Sequence, residues 1–396
     1  MSTDASLLDR DLPPDIADLP AVLDWLAHLR ADAPVWRDRY GMHHVTRAAD
    51  VERVLHDVAT FSSDFSAVMP GSEQMTKGML TRIDPPEHKA LRHLVSASFT
   101  PRRVAGLEPR IRELCGEMLP AAPASFDLVD ELAFPLPVTV IAEMLGLPAA
   151  DRGRFRAWAD GLFSMQVDDP KEAMNDPRVA DAMGEITGYL GDWCRARRAD
   201  PADDLISALV TTEVDGRRLD DEEAANFSTL LLFAGHITTT LLLGNAVRVL
   251  DANPGAWEAL RADPATIPAT VEEVLRLRPP FPLTARATTA DVEIGGVTVP
   301  ARSVVMPWLL SATHDPDAHP DPERFDPART GIGGGAQTAF GHGIHFCLGA
   351  PLARLEARVA LEEMTARYAR LSVGDGDQRP YTGRVLGTRR LPVVAT

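Results

Sequence analysis

The chain is poor in the residues that would place it in several large protein classes. Cysteine is scarce: Cys115, Cys194 and Cys347 are the three in 396 residues, odd in number and far apart. A disulfide framework is thereby excluded and a reducing compartment fits. Positive charge is in deficit, with 40 Lys and Arg against 57 Asp and Glu, a formal net charge of −17. No nucleic-acid partner is expected of such a chain. Gly/Ser linkers, low-complexity tracts and internal repeats are missing, so we expect one continuous domain over residues 1–396. The first residues, Met1-Ser-Thr-Asp-Ala-Ser6, have neither a basic n-region nor an apolar h-region. The longest apolar run, Leu230 to Leu243, contains Gly235, His236 and three threonines, too short and too polar for a membrane span. The expectation is a cytoplasmic protein with no membrane anchor. Gly331 to Ala336 carries the glycines of a dinucleotide fingerprint, but no strand precedes it and no βαβ unit encloses it. A flavin or nicotinamide module is excluded, and any electrons must come from another protein.

What the chain does have is a stretch near its C-terminus, Phe340-Gly-His-Gly-Ile-His-Phe-Cys347-Leu-Gly349, with a helical pattern directly behind it. The sulfur is thus placed at a helix N-terminus, where unpaired N–H groups favour thiolate over thiol. Gly343 and Gly349 allow close backbone folding and keep side chains away from anything flat beside the sulfur. By itself Cys347 fits several roles. It could be a small buried apolar residue, or a zinc ligand with His342 and His345, although their spacing matches no standard site. It could be a nucleophile whose orienting third group is not identified, or an axial ligand of haem iron.

Helical periodicity covers residues 15–30 and 48–56, with short strands at Pro34 to Arg37 and His43 to Thr46 between them. Residues 61–80 show no period and contain Pro and Gly, a long loop of the kind that is often functional. Pro85 and Pro86 open a helix that puts His88 and Arg92 on one face. Arg102, Arg103, Arg110 and Arg112 follow as a local basic cluster able to dock an acidic partner. Phe134 to Pro148 reads as a buried helix, and Arg152 to Arg198 scatters Phe155, Phe163, Met165, Met174 and Met183. A long helix is predicted from Asp220, with a capping box to Glu223, to Ala252 before Asn253-Pro254. It is apolar on every side, as a helix threaded through a core should be. Gly235, Thr238 and Thr239 in its middle predict a local distortion. Glu273 and Arg276 share a helix face, and Arg286 to Thr289 and Val292 to Ala301 read as strand and hairpin.

Four of these blocks together resemble the cytochrome P-450 family. Phe340, Gly343, His345, Cys347 and Gly349 fill every position of its haem-binding loop. Asp84 to Pro101 resembles its C-helix, Ala234 to Thr239 its oxygen-binding helix, and Glu273 with Arg276 and Pro322-Glu-Arg324-Phe325 its Glu-x-x-Arg network. The resemblance implies the mainly α cytochrome P-450 fold with small β-sheets, and a single haem b held by Cys347 as axial thiolate and metal ligand. His88, Arg92, Arg286 and His345 would hold the propionates, and Phe340, Gly341, Gly349 and Ala234 would border the ring. The implied catalytic positions are Ala234, Gly235, Ile237 and Thr238, although Ile237 stands where the family usually has Asp or Glu. Substrate contacts would come from Phe65, Val68, Met69, Phe233, Ile237, Phe281, Leu283, Thr284, Val385 and Leu386. Glu273, Arg276 and Arg324 would be structural. The implied reaction inserts one atom of dioxygen into a C–H or C=C bond of a small apolar secondary metabolite, a polyketide, macrolide or terpenoid. Electrons would come from a ferredoxin and its reductase. Two other readings stay open: a peroxide-driven haem-thiolate enzyme, suggested by Ile237, and a non-catalytic haem-thiolate binding or sensing protein.

Overall fold

The computed structural model describes residues 10–69, 77–96, 99–163, 177–213, 216–329, 337–381 and 385–396. Helices dominate. In chain order they are α1 (Leu19–Asp32), α2 (Ala48–His56), α3 (Glu87–Ser96), α4 (Pro101–Ala105), α5 (Glu108–Met118), α6 (Pro135–Leu145) and α7 (Arg152–Phe163). There follow α8 (Pro177–Ala199), α9 (Leu205–Thr211), α10 (Asp221–Ala252), α11 (Ala256–Ala262), α12 (Ile267–Leu277), α13 (Leu309–Thr313) and α14 (Ala350–Arg367).

The 32-residue α10 is the axis of the fold, and it packs against α6, α8, α12 and α14. Its start is fixed as the sequence predicts. The Glu223 N–H donates to Asp220 Oδ1 at 2.9 Å while the Asp220 N–H donates to Glu223 Oε2 at 2.9 Å, a reciprocal cap for two orphan donors. Asn253 stops it. By length and composition α10 could cross a membrane, yet 78% of its most apolar stretch is buried inside the fold. Its apolar circumference is therefore satisfied by other helices.

Strands form a small flank. β1 (Val35–Arg37), β2 (His43–Val45), β3 (Phe61–Ser62), β5 (Arg286–Thr288) and β8 (Val304–Pro307) make a five-stranded sheet in the order β1-β2-β8-β5-β3. Among the described residues only β2 and β8 pair in parallel, with His43 opposite Val305. β4 (Ala124–Asp127), β12 (Pro392–Ala395) and β9 (Leu371–Val373) form an antiparallel sheet in that order. β6 (Val292–Ile294) with β7 (Val297–Val299), and β10 (Arg379–Pro380) with β11 (Thr388–Arg390), are two-stranded. A second core lies between α1 and the large sheet. There Trp25 stacks edge-on to Trp36 and Trp308, and the Trp308 indole N–H donates to His44 Nδ1 at 2.9 Å.

Candidate active site

Phe340 to Gly349 forms a loop closed on itself and tied to α3. The Cys347 N–H donates to the Phe340 carbonyl at 2.9 Å, and Arg92 Nη2 donates to the Phe346 carbonyl at 2.7 Å. Gly341 and Gly343 take φ of +71° and +69°, a region that glycine enters without strain. At Gly343 a Cβ would also lie 2.9 Å from the Leu55 carbonyl oxygen. Gly349 differs: its φ is −82°, and a Cβ there would meet only Cys347 Sγ, at 3.9 Å. Its missing side chain thus keeps open the space beside the sulfur. The backbone N–H groups of Gly349 and Ala350 draw the Cys347 pKa down, as a helix N-terminus should, but burial outweighs them and leaves the thiol above its ordinary value. The helix end alone does not make the thiolate; a cation on the sulfur is needed.

Around this loop sits a cluster of two arginines and two histidines. His88 is 2% exposed and Arg286 6% exposed, and neither His88 Nε2 nor Arg286 Nε has a hydrogen-bond partner. The His88 and His345 rings meet at 4.3 Å, and His345 Nε2 lies 2.9 Å from the Ser63 hydroxyl. Burial first, then the charges of Arg286, His88 and Arg92, push the His345 pKa down to about 3. Burial likewise pulls Arg286 down to about 10, with Asp84 acting the other way. Buried cations without paired anions are costly. A ligand with two carboxylates would restore the balance, so these residues fit the propionates of a haem.

The middle of α10 leaves an open strip. Ala234 is exposed and Gly235 and Thr238 are half-buried within a helix otherwise mostly buried. The Thr238 hydroxyl donates to the Ala234 carbonyl at 3.0 Å. Gly235 also lets α10 close on α6, because a Cβ on it would come 2.7 Å from Ile141 Cγ1. Ile237 is 3% exposed and belongs to the core. His236 is fully buried between Phe134 and Phe233, bonded through Nδ1 to the Leu232 carbonyl at 2.6 Å, and burial pushes its pKa down to about 4. It is neutral and cannot carry a proton in from solvent at neutral pH.

The proposed substrate contacts are spread over several elements. Phe65, Phe233, Leu283, Val385 and Leu386 are buried, Val68, Met69 and Thr284 half-buried, and Phe281 is 37% exposed. Asn245 of α10 donates to the Leu386 carbonyl at 3.0 Å and holds the C-terminal turn on the long helix. Residues 70–76 of the early loop, Met165, Met174, Gly331 to Ala336 and Arg384 lie outside the described residues, as does the Phe163 side chain.

Glu273 and Arg276 are both fully buried and joined by two bonds of 2.8 Å, with Arg276 also donating to the carbonyls of Thr313, Pro322 and Arg324. Two expectations need correction. The downstream arginine beside Glu273 is Arg329, at 3.6 Å, whereas the Arg324 side chain is 67% exposed and contributes its carbonyl. The basic cluster is largely neutralised. Arg110 pairs with Glu113 and Glu143, and Arg112 with Glu108, Glu362 and Glu363, leaving Arg102 and Arg103 exposed.

The sequence reading missed Ser63, Asp84, Arg329 and Glu356 as site or framework residues. Glu356 was within reach, since it falls on the apolar stripe of α14 with Leu352, Leu355 and Val359. It is fully buried, and neither carboxylate oxygen has a hydrogen-bond partner. Burial pushes its pKa up to about 8, with the neighbouring Thr239 hydroxyl pulling weakly the other way.

A half-buried cysteine under helix N–H groups, buried arginine and histidine donors left without partners beside it, and an open strip on a core helix fit a haem-thiolate site. The comparisons agree. The family model of cytochrome P-450 matches residues 34–389, and the chain belongs to that family, whose members bind haem through a cysteine thiolate. It is 58% identical to the erythromycin C-12 hydroxylase of Saccharopolyspora erythraea over 97% of each chain. It is 43% identical to the cyclomarin C epoxidase of Salinispora arenicola, over 88% of this chain and 89% of that one. The solved structure of a mutant of P-450 EryK in complex with erythromycin B superposes with a TM-score of 0.93 at 58% identity, covering 96% of this chain and 98% of that one. The fold is therefore the cytochrome P-450 fold and the chain is a monooxygenase.

Proposed function

We propose that this monooxygenase hydroxylates a macrolide of the erythromycin type, as one continuous catalytic domain in the cytoplasm. The observation that carries the substrate class is the 58% identity, over 97% of both chains, to an enzyme named for hydroxylating erythromycin. Bound haem supplies reductive activation of dioxygen, one atom going to substrate and one to water. The protein contributes the rest. Cys347 would hold the haem iron, and the Gly349 and Ala350 N–H groups steady its sulfur. His88, Arg92, Arg286 and His345 would hold the propionates, with Ser63 orienting the His345 ring. Phe340, Gly341, Gly349 and Ala234 would lie beside the group. Thr238 is the hydroxyl on the open strip of α10 and positions dioxygen and its protons; Ile237 gives an apolar wall. Phe65, Val68, Met69, Phe233, Phe281, Leu283, Thr284, Val385 and Leu386 shape the pocket. Glu273, Arg276 and Arg329 brace the segment before the haem loop. A ferredoxin delivers electrons, and exposed Arg102 and Arg103 offer it cationic contacts.

The test is a titration of purified holoprotein with erythromycin-type macrolides. A spin-state shift of the Soret band, followed by a product 16 mass units heavier when ferredoxin, its reductase and reductant are added, is expected. A normal carbon monoxide spectrum with no shift and no product for any macrolide would remove the substrate assignment. Turnover with peroxide but none with reduced ferredoxin would favour the peroxide-driven reading that Ile237 suggests.

A further inference from the structure

Where the haem loop meets the end of α2, three metal-ligating side chains converge that the monooxygenase reaction does not use. Glu52 and His56 stand four apart, one turn of α2, and so share a face. His342 of the haem loop meets them, its Nδ1 lying 2.8 Å from His56 Nδ1, with ring centroids 4.3 Å apart. A carboxylate oxygen of Glu52 and the two imidazole nitrogens all lie within 4.8 Å of one another. We propose that His56, His342 and Glu52 bind a divalent transition-metal ion of the zinc class, which straps the haem loop to the end of α2.

Three physical arguments support the site. Two imidazoles and one carboxylate are a ligand set that zinc accepts, with a fourth position left for water. Zn–N bonds of about 2.0–2.1 Å in a tetrahedron set the two nitrogens about 3.3 Å apart. The two imidazoles therefore need to part by only about half an ångström, with their rings turned toward the metal, and Glu52 closes in from within 4.8 Å by side-chain rotation. The approach is also pre-built. Gly343, next to His342, presses on the Leu55 carbonyl and His56 Cα so closely that a Cβ would come within 2.9 Å of backbone. Both histidines are thus carried on backbone already in contact, which lowers the ordering cost of binding. Finally, His56 is the last residue of α2, where the helix presents carbonyl oxygens and the negative end of its dipole to a cation. Without a metal the two Nδ1 atoms must share one proton, one ring carrying Nδ1–H and the other accepting on its bare Nδ1.

Untagged holoprotein, freed of metal with a chelator, should be titrated with Zn2+ against a chromophoric competitor. One zinc per chain is expected. His56→Gln and His342→Gln should each weaken it by at least about tenfold, the range that even an outer-shell partner commands, and Glu52→Gln should weaken it less than either. Zinc should raise the unfolding temperature of the wild type and leave that of the double histidine variant unmoved. An unchanged Soret band in each variant shows the haem loop still formed, so that lost zinc binding is read as lost ligands. Equal zinc affinity in wild type and double variant, or no zinc bound by the wild type, would overturn the site.

Discussion

Gly235 and Ile141 determine how closely the central helix approaches α6. A Cβ on residue 235 would lie 2.7 Å from Ile141 Cγ1 and 3.0 Å from its Cδ1, and real Cβ atoms do not tolerate 2.7 Å. Gly235→Ala should therefore destabilise the holoprotein by about 1–3 kcal/mol, despite the roughly 1 kcal/mol that alanine gains as a helix former. In an Ile141→Ala background the two closest contacts go and only the Cβ at 3.2 Å remains, so the same change should cost far less or nothing. Denaturant unfolding of the four proteins gives the coupling directly. Additive effects would mean that the glycine is there for another reason.

Arg329 and Arg324 separate a buried brace from a surface charge. Glu273 lies beside Arg329, whose side chain is 10% exposed, while that of Arg324 is 67% exposed. Arg324→Ala should change stability by less than about half a kcal/mol, as exposed pairs do. Arg329→Ala should cost about 1–3 kcal/mol, because the carboxylate of Glu273 loses a neighbouring cation in a dry place. Chemical denaturation and haem retention on heating both read this difference. Equal losses in the two variants would restore Arg324 to the network.

Much of this was legible in one dimension because it is local. The boundaries of α2 and α10 follow from periodicity and caps, and the haem loop from glycines ahead of a cysteine. What sequence could not supply is what lies opposite. The basic run from Arg102 to Arg112 reads as free charge until Glu143, Glu362 and Glu363 arrive from α6 and α14. Gly235 reads as room for a ligand until Ile141 is seen against it. The exchange of Arg324 for Arg329 has the same origin, since both follow the same turn and only packing selects one.

Glu356 should give the protein a distinctive dependence on pH. Its folded pKa of about 8 stands above the ordinary value of 4.5, so between those values the unfolded chain has lost a proton that the folded chain keeps. Stability from this group is greatest below pH 4.5 and falls as pH rises to 8, with a slope of up to roughly 1.4 kcal/mol per pH unit. Glu356→Gln removes the titrating proton and the slope. The difference between wild type and variant in urea unfolding, followed from pH 5 to 8.5, should grow in favour of the variant. A constant difference would show the carboxyl ionised in the fold.

Ile237 is the place to test how protons reach the dioxygen site. The acid usual in the family is missing there, and the residue is 3% exposed, so no solvent-linked carboxylate lies next to Thr238 on the helix. His236 is held neutral with its Nδ1 committed to Leu232, and Glu356 keeps its proton but meets α10 at Thr239. Proton supply through Thr238 then rests on ordered water or on a hydroxyl of the substrate. Ile237→Glu should place an acid at the missing link, whose buried carboxyl is expected to hold its proton near neutral pH. The ratio of hydrogen peroxide to hydroxylated product should fall and turnover should rise, while Ile237→Gln, which adds polarity without an acid, should leave the ratio near that of the wild type. An unchanged rate and peroxide yield in a Glu variant that retains its haem would mean that this position does not limit proton delivery, and that the substrate brings the proton path with it.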